Sequence, residues 1–259
     1  KRGVKVGKIH KAGVVSAALA CAVLFSGCAL FKFEDPDEIR DIESQISSEQ
    51  QDIKSSLKSL LDEDRLKMED TLVSESGVTL AEYSASFPYF NAGDSQVLKN
   101  INSYYETEFE QMEDDKQRFF QIVQANPSSV VRTSCFTYTI PDTPGDYISV
   151  IRKFESNDIL GEVSSLYYCE VFSAKTGWTL RFDDVFDEGA KDALTKAAES
   201  WCEERGYQTG WLYNSGDGLL TDNFAFSGDT YYASLPSGAS PGGETLLELS
   251  MSGMEQYIK

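Results

Sequence analysis

The side chains with the most obvious capacity for chemistry are carboxylates. Asp183, Asp184 and Asp187 form a dense acidic group, and paired carboxylates could share general acid and base work or offer oxygens to Ca²⁺. Their place just ahead of a predicted helix gives them a simpler role, capping free backbone N–H groups at the positive end of the helix dipole. Asp217-Gly218 and Asp222-Asn223 resemble a calcium loop only in part. The run Asn214-Ser215-Gly216-Asp217-Gly218 lacks the alternating oxygens and closing Glu of an EF-hand, and it is expected to make turns. Asp183 and Asp184, with Tyr231 and Tyr232 on a predicted strand, are the candidate ligand-binding residues; no catalytic residue, metal site or cofactor is expected.

Several chemistries are excluded by residue type. The chain has one histidine, His10, in a basic N-terminal segment. Ser-His-Asp and Cys-His nucleophile activation and His-ligated metal sites in the folded part therefore drop out. Beyond the leader and Cys28 the thiols are Cys135, Cys169 and Cys202. Three thiols allow one intramolecular bridge at most, and buried free cysteines acting as small apolar residues are expected. No Gly-rich phosphate loop, nucleophile elbow or zinc-ligand spacing occurs. With 23 Lys plus Arg against 42 Asp plus Glu, the net charge of −19 argues against duplex nucleic acid as a partner and favours cationic ones.

The elements that must position these residues begin after a leader. Residues 1–27 carry five basic and no acidic side chains, then the apolar run Ala12 to Phe25, which is the order of an export signal. The exit, Leu24-Phe25-Ser26-Gly27-Cys28, resembles the lipobox of bacterial lipoproteins. That resemblance implies cleavage before Cys28, lipid on Cys28, and attachment at the outer face of the cytoplasmic membrane. An uncleaved anchor is the alternative, since the apolar stretch can be extended through Phe31 to about 20 residues; both put the rest of the chain outside the cytoplasm. Removing the leader leaves 18 basic residues against 42 acidic ones. Residues 28–77 are expected to form a helical tether, because Ile39, Ile42, Ile46, Ile53, Leu57 and Leu60 follow at three- and four-residue steps.

From Val78 the composition turns aromatic and β-branched, and an α+β fold is predicted, with antiparallel sheet and two main helices, divided into subdomains 78–160 and 161–259. A strand is expected over 78–87, a helix from about 93 to 124, strands over 130–140, 147–155 and 163–173, and a short strand over 178–182. A second helix is expected over 187–205, closed by Gly206, followed by strands over 223–226, 230–235 and 244–250 and a terminal helix over 251–258. The run Glu110, Glu113, Asp114 and Asp115 is expected to be a solvated helix face.

The stretch Val171-Phe172-Ser173-Ala174-Lys175-Thr176-Gly177-Trp178-Thr179-Leu180, followed by Asp183-Asp184-Val185-Phe186, resembles a signature of exported bacterial domains. It is similar to the domain at the outer end of lysozyme-sensing, membrane-bound anti-sigma factors, which is also appended to some peptidoglycan deacetylases. Phe87-Pro88-Tyr89 and Ile101-Asn102 resemble the companion N-terminal part, and the match covers roughly residues 78 to 258. The chain departs from the pattern at Leu160-Gly161-Glu162-Val163-Ser164, where relatives carry a Gly-Gly-Ala-His turn, and at the Leu235–Gly243 loop. The leader, the tether and this resemblance predict a lipid-anchored extracytoplasmic binding or sensing module without catalytic activity. Its expected partners are the membrane, through Cys28, and a cationic protein such as lysozyme or an envelope component. Two alternatives stand beside it: the outer domain of a truncated anti-sigma factor, and a wall-glycan hydrolase using two carboxylates about 5 to 9.5 Å apart.

Overall fold

The computed structural model describes residues 57–214 and 218–259. The leader, Cys28, the tether up to residue 56 and Asp217 lie outside the described residues. Two sheets form the frame. The first has five strands in the order β1 (Lys67–Val73), β2 (Thr79–Ser86), β3 (Arg132–Thr139), β4 (Tyr147–Asn157) and β5 (Val163–Ser173). The second is β6 (Phe224–Phe226), β7 (Thr230–Ser234) and β8 (Leu246–Ser250), all antiparallel.

The fold is α+β as predicted, but the larger sheet is mixed. β2 and β3 run parallel while their outer neighbours are antiparallel. A parallel pair needs a long crossover, and the chain between them supplies it as α1 (Gln96–Glu110) and α2 (Met112–Ala125). The single helix expected over 93–124 is thus two, parted at Gln111. Ser95 caps the first by accepting from Leu98 N. Glu113, Asp114 and Asp115 lie in the opening turn of the second, where negative charge suits the dipole. Leu98, Ile101, Asn102 and Tyr105 form the buried stripe of α1; burying side chains such as Leu98 and Ile101 contributes roughly 1.5–3 kcal/mol each.

The tether expectation is corrected at its C-terminal end. Residues 67–73 are not helix but the edge strand β1, tied to α2 by the ion pair of Asp70 with the nearly buried Lys116 (2.9 Å). The expected boundary at 160/161 falls in the loop between β4 and β5, which pair along their whole length, so the stretches on either side share one sheet. In place of the strand over 178–182 there is one bridge, Phe172 to Thr179. The terminal helix reduces to a 3₁₀ turn, Glu255–Tyr257.

Register sorts the side chains of the large sheet. Ile148 and Val150 of β4 and Phe172 of β5 join the core under α1 and α2. Tyr147 of β4 and Val171 of β5 turn the other way, into the core built by the second sheet and helix α4 (Ala190–Arg205), and Ile151 and Cys169 turn the same way onto Ala225. Helix α4 buries Ala190, Leu194, Ala198, Trp201 and Cys202 and ends at Gly206 in the left-handed conformation (φ 69°), as its sequence predicts. Two short helices, α3 (Phe182–Val185) and α5 (Gly210–Asn214), flank it. No helix among the described residues is long and apolar enough to cross a membrane.

Candidate functional site

β5 is the last strand of its sheet, and an edge strand presents unpaired backbone groups. Here that edge is largely dressed. Thr245 Oγ1 donates to Ser165 O (2.9 Å), Ser234 Oγ to Tyr167 O, and Cys169 N–H to Asn223 Oδ1 (2.8 Å). Leu180 N–H donates to Val171 O (2.7 Å) and Ser173 N–H to Trp178 O (2.9 Å). The Lys175-Thr176-Gly177 turn that delivers Trp178 and Leu180 is held by α1: Asn100 Nδ2 donates to Thr176 O (2.7 Å). Only glycine fits there, because φ is +74° at Gly177 and a Cβ would stand 2.2 Å from Val97 O.

Between these dressings opens a cleft of about 1080 Å³. Its floor includes Tyr168 to Val171 of β5, one wall is Tyr104 and Glu108 of α1, and the other is the segment 179–191 with Thr221 to Phe224. Set into this lining is an ionic cluster of low exposure. Arg152 and Glu170 are diagonal neighbours on adjacent strands, since Arg152 is paired with Tyr168 and Val150 with Glu170. Arg152 donates to Glu170 Oε1 through Nε (2.9 Å) and through Nη2, and reaches Glu108 Oε2 at 3.4 Å. Its guanidinium also lies over the rings of Phe87, Tyr105 and Tyr168, 5.2 to 5.7 Å from their centroids. The hydroxyls of Tyr104 (3.4 Å) and Tyr105 (3.3 Å) donate to the two oxygens of Glu170.

Side-chain exposure is 7% for Arg152 and 11% for Glu170, so each needs the other to meet the cost of leaving water. Burial pushes the Glu170 carboxyl above the usual range, with the charge and hydrogen bonds of Arg152 opposing. Burial also raises Tyr104 to about 12, with the negative charge of Glu170 adding to it, and raises Tyr105 for the same reasons. Arg152 stays firmly cationic, because Glu170 outweighs the penalty of burial.

Of the four candidate residues chosen from sequence, the structure places one on the cleft. Asp183 lines it and is exposed, as does Asp187 beside Lys259 (3.9 Å). Asp184 turns back on its own helix. Its Oδ2 accepts from Arg181 N (3.0 Å) and Arg181 Nε (3.3 Å), and these bonds hold its carboxyl below the usual range. Tyr231 is fully buried, donates to Leu220 O (2.6 Å) and stacks on Phe224; it is core. Tyr232 is half-buried against Ile151 and Cys169 and does not line the cleft.

Arg152, Glu170, Glu108, Tyr104 and Tyr168 were missed. For Arg152 and Glu170 the sequence signal is a charge beside apolar strand residues, in Val150-Ile151-Arg152 and in Cys169-Glu170-Val171; Glu108, Tyr104 and Tyr168 carry none. Cys135, Cys169 and Cys202 are free thiols, and burial raises the pKa of Cys169 and Cys202. Among the described residues no group of three or more His, Cys, Asp or Glu is placed to hold a metal ion.

No family model matches the sequence, and no curated protein does. Solved structures do. A DUF3298-family protein from Bacteroides fragilis superposes with a TM-score of 0.52 at 14% identity, over 77% of this chain and 94% of its own. One from Pseudomonas aeruginosa gives 0.52 at 12% identity with the same coverage. The chain shares their fold. At this identity the likeness extends to the DUF3298 architecture alone.

Proposed function

We propose that this chain is a lipid-anchored, extracytoplasmic binding module, not an enzyme, and that its cleft receives cationic groups of a protein partner. The observation that carries the reading is the division of labour among the carboxylates. Glu170, the buried one, is neutralised by Arg152 and occupied by two tyrosine hydroxyls, which favours a structural role over proton transfer. Asp183, Asp187, Glu188 and Asp222 are exposed and line the cleft, Asp187 beside Lys259, and these four carboxylates outnumber the three exposed cations there, Arg181, Lys191 and Lys259. The charge of −19 adds long-range attraction for a cationic protein.

Lysozyme is the partner the sequence resemblance implies and the probe of choice. The purified protein is expected to bind it at low ionic strength, to lose affinity steeply as salt rises, and to bind severalfold more weakly as the Asp183→Asn/Asp187→Asn variant. Absence of association at low salt, or an affinity indifferent to salt and to both substitutions, overturns the reading.

A further inference from the structure

Resting on that reading, we propose that the cleft takes an extended peptide segment of the cationic partner, one residue of which docks on β5 as a parallel extension of the sheet. The argument starts from the register. Ser149 pairs with Val171 and Ile151 with Cys169, and Cys169 N–H and Val171 C=O both bond outward, to Asn223 and Leu180. In an antiparallel ladder a residue whose N–H or C=O points outward turns both groups away from its partner strand. Cys169 C=O and Val171 N–H therefore also face outward. Both residues line the cleft, and among the described residues neither of these two groups meets a backbone partner.

Within the cleft, whose lining on β5 runs from Tyr168 to Val171, this leaves one acceptor and one donor, on either side of Glu170. A parallel strand places a single residue across such a pair: its N–H meets the carbonyl before the facing residue, and its C=O meets the N–H after it. Asn223 closes the edge on one side and Leu180 on the other, so the ladder cannot lengthen. The peptide must rise out of the cleft before and after the docked residue, past a lining in which Glu108, Asp183, Asp187, Glu188 and Asp222 outnumber Arg181, Lys191 and Lys259. Basic residues flanking a small central one fit that path.

The test uses three peptides titrated into the ¹⁵N-labelled protein: acetyl-Lys-Ala-Lys-amide, its analogue N-methylated at alanine, and acetyl-Glu-Ala-Glu-amide. The first is expected to shift the Val171 amide with Kd on the order of 1 mM, as suits so small a ligand. The N-methylated peptide, which lacks the N–H destined for Cys169 O, and the acidic one are expected to bind at least tenfold more weakly. No response at Val171, or equal binding of the N-methylated peptide, overturns the proposal. If lysozyme binds while the peptides fail, the slot is wrong and the binding-module reading stands; if neither binds, both fall.

Discussion

Replacing Arg152 with methionine keeps most of the side-chain volume and removes the guanidinium. The variant loses both hydrogen bonds to Glu170, the contact with Glu108 and the stacking over three rings. Glu170 remains, 11% exposed, with only two long tyrosine hydroxyl bonds. Breaking a buried pair from one side costs about 3–5 kcal/mol. The cost should depend on pH in a definite direction. Burial already raises the Glu170 carboxyl, and Arg152 is what opposes it; without Arg152 the folded-state pKa rises further above the unfolded value. The neutral acid is then tolerated in the fold, so the variant suffers least at pH 5 and most at pH 8. Adding Glu170→Gln removes the stranded charge and should recover most of the loss. Urea unfolding followed by circular dichroism at the two pH values, with the Glu170→Gln single variant as the fourth corner, completes the double-mutant cycle. A single-variant loss below about 1 kcal/mol, or a double variant no more stable than the single, refutes the assignment of a coupled buried pair.

Two further outcomes are expected. Gly177→Ala should lower Tm by several degrees, the equivalent of about 2 kcal/mol or more, because the added Cβ meets Val97 O at 2.2 Å in a left-handed backbone; an unchanged Tm in a thermal melt would contradict the clamp between α1 and the turn. In alkali, burial keeps the folded-state pKa of Tyr104 at about 12 and those of Tyr83, Tyr105 and Tyr231 above the normal value near 10. Their stabilisation is thus complete below pH 10 and drains away as pH rises through the folded-state values. Absorbance at 295 nm should leave the amplitude of these four of the thirteen tyrosines unexpressed until the fold is lost; ionisation of all thirteen while circular dichroism still reports the folded protein would contradict their burial.

Much of the architecture could be read from local pattern. The β-branched runs around Pro141 to Gly145 and Asn157-Asp158 located β3 to β5, and Gly206 marked the end of α4, because turns and caps are local chemistry. Three features were not local. The parallel pairing of β2 with β3 depends on where the α1–α2 crossover returns the chain. The break at Gln111 has no Gly or Pro to announce it and interrupts an apolar period that runs on through Met112. β1 has no fully buried side chain, and its two half-buried ones, Met68 and Leu72, stand four residues apart and read equally well as helix. The site was less legible than the fold. Asp183 could be picked out as one of a cluster, whereas Arg152 and Glu170 are eighteen residues apart and become neighbours only once the β4–β5 register is fixed. Tyr231 was misjudged for the converse reason: a tyrosine on a short strand looks available until Leu220, Phe182 and Phe224 close over it.

The finishing of β5 carries a cost in time. Three of the groups that cover its outer side, Asn223, Ser234 and Thr245, arrive fifty to eighty residues after the strand they protect. A chain that emerges from its N-terminus can complete the five-stranded sheet while its last strand is still bare, and a bare strand is a template for its twin on another molecule. Fragments ending before residue 223 should therefore be sticky even though every strand of the large sheet is present. The final forty residues then serve as a latch on the sheet as well as the second layer of the domain.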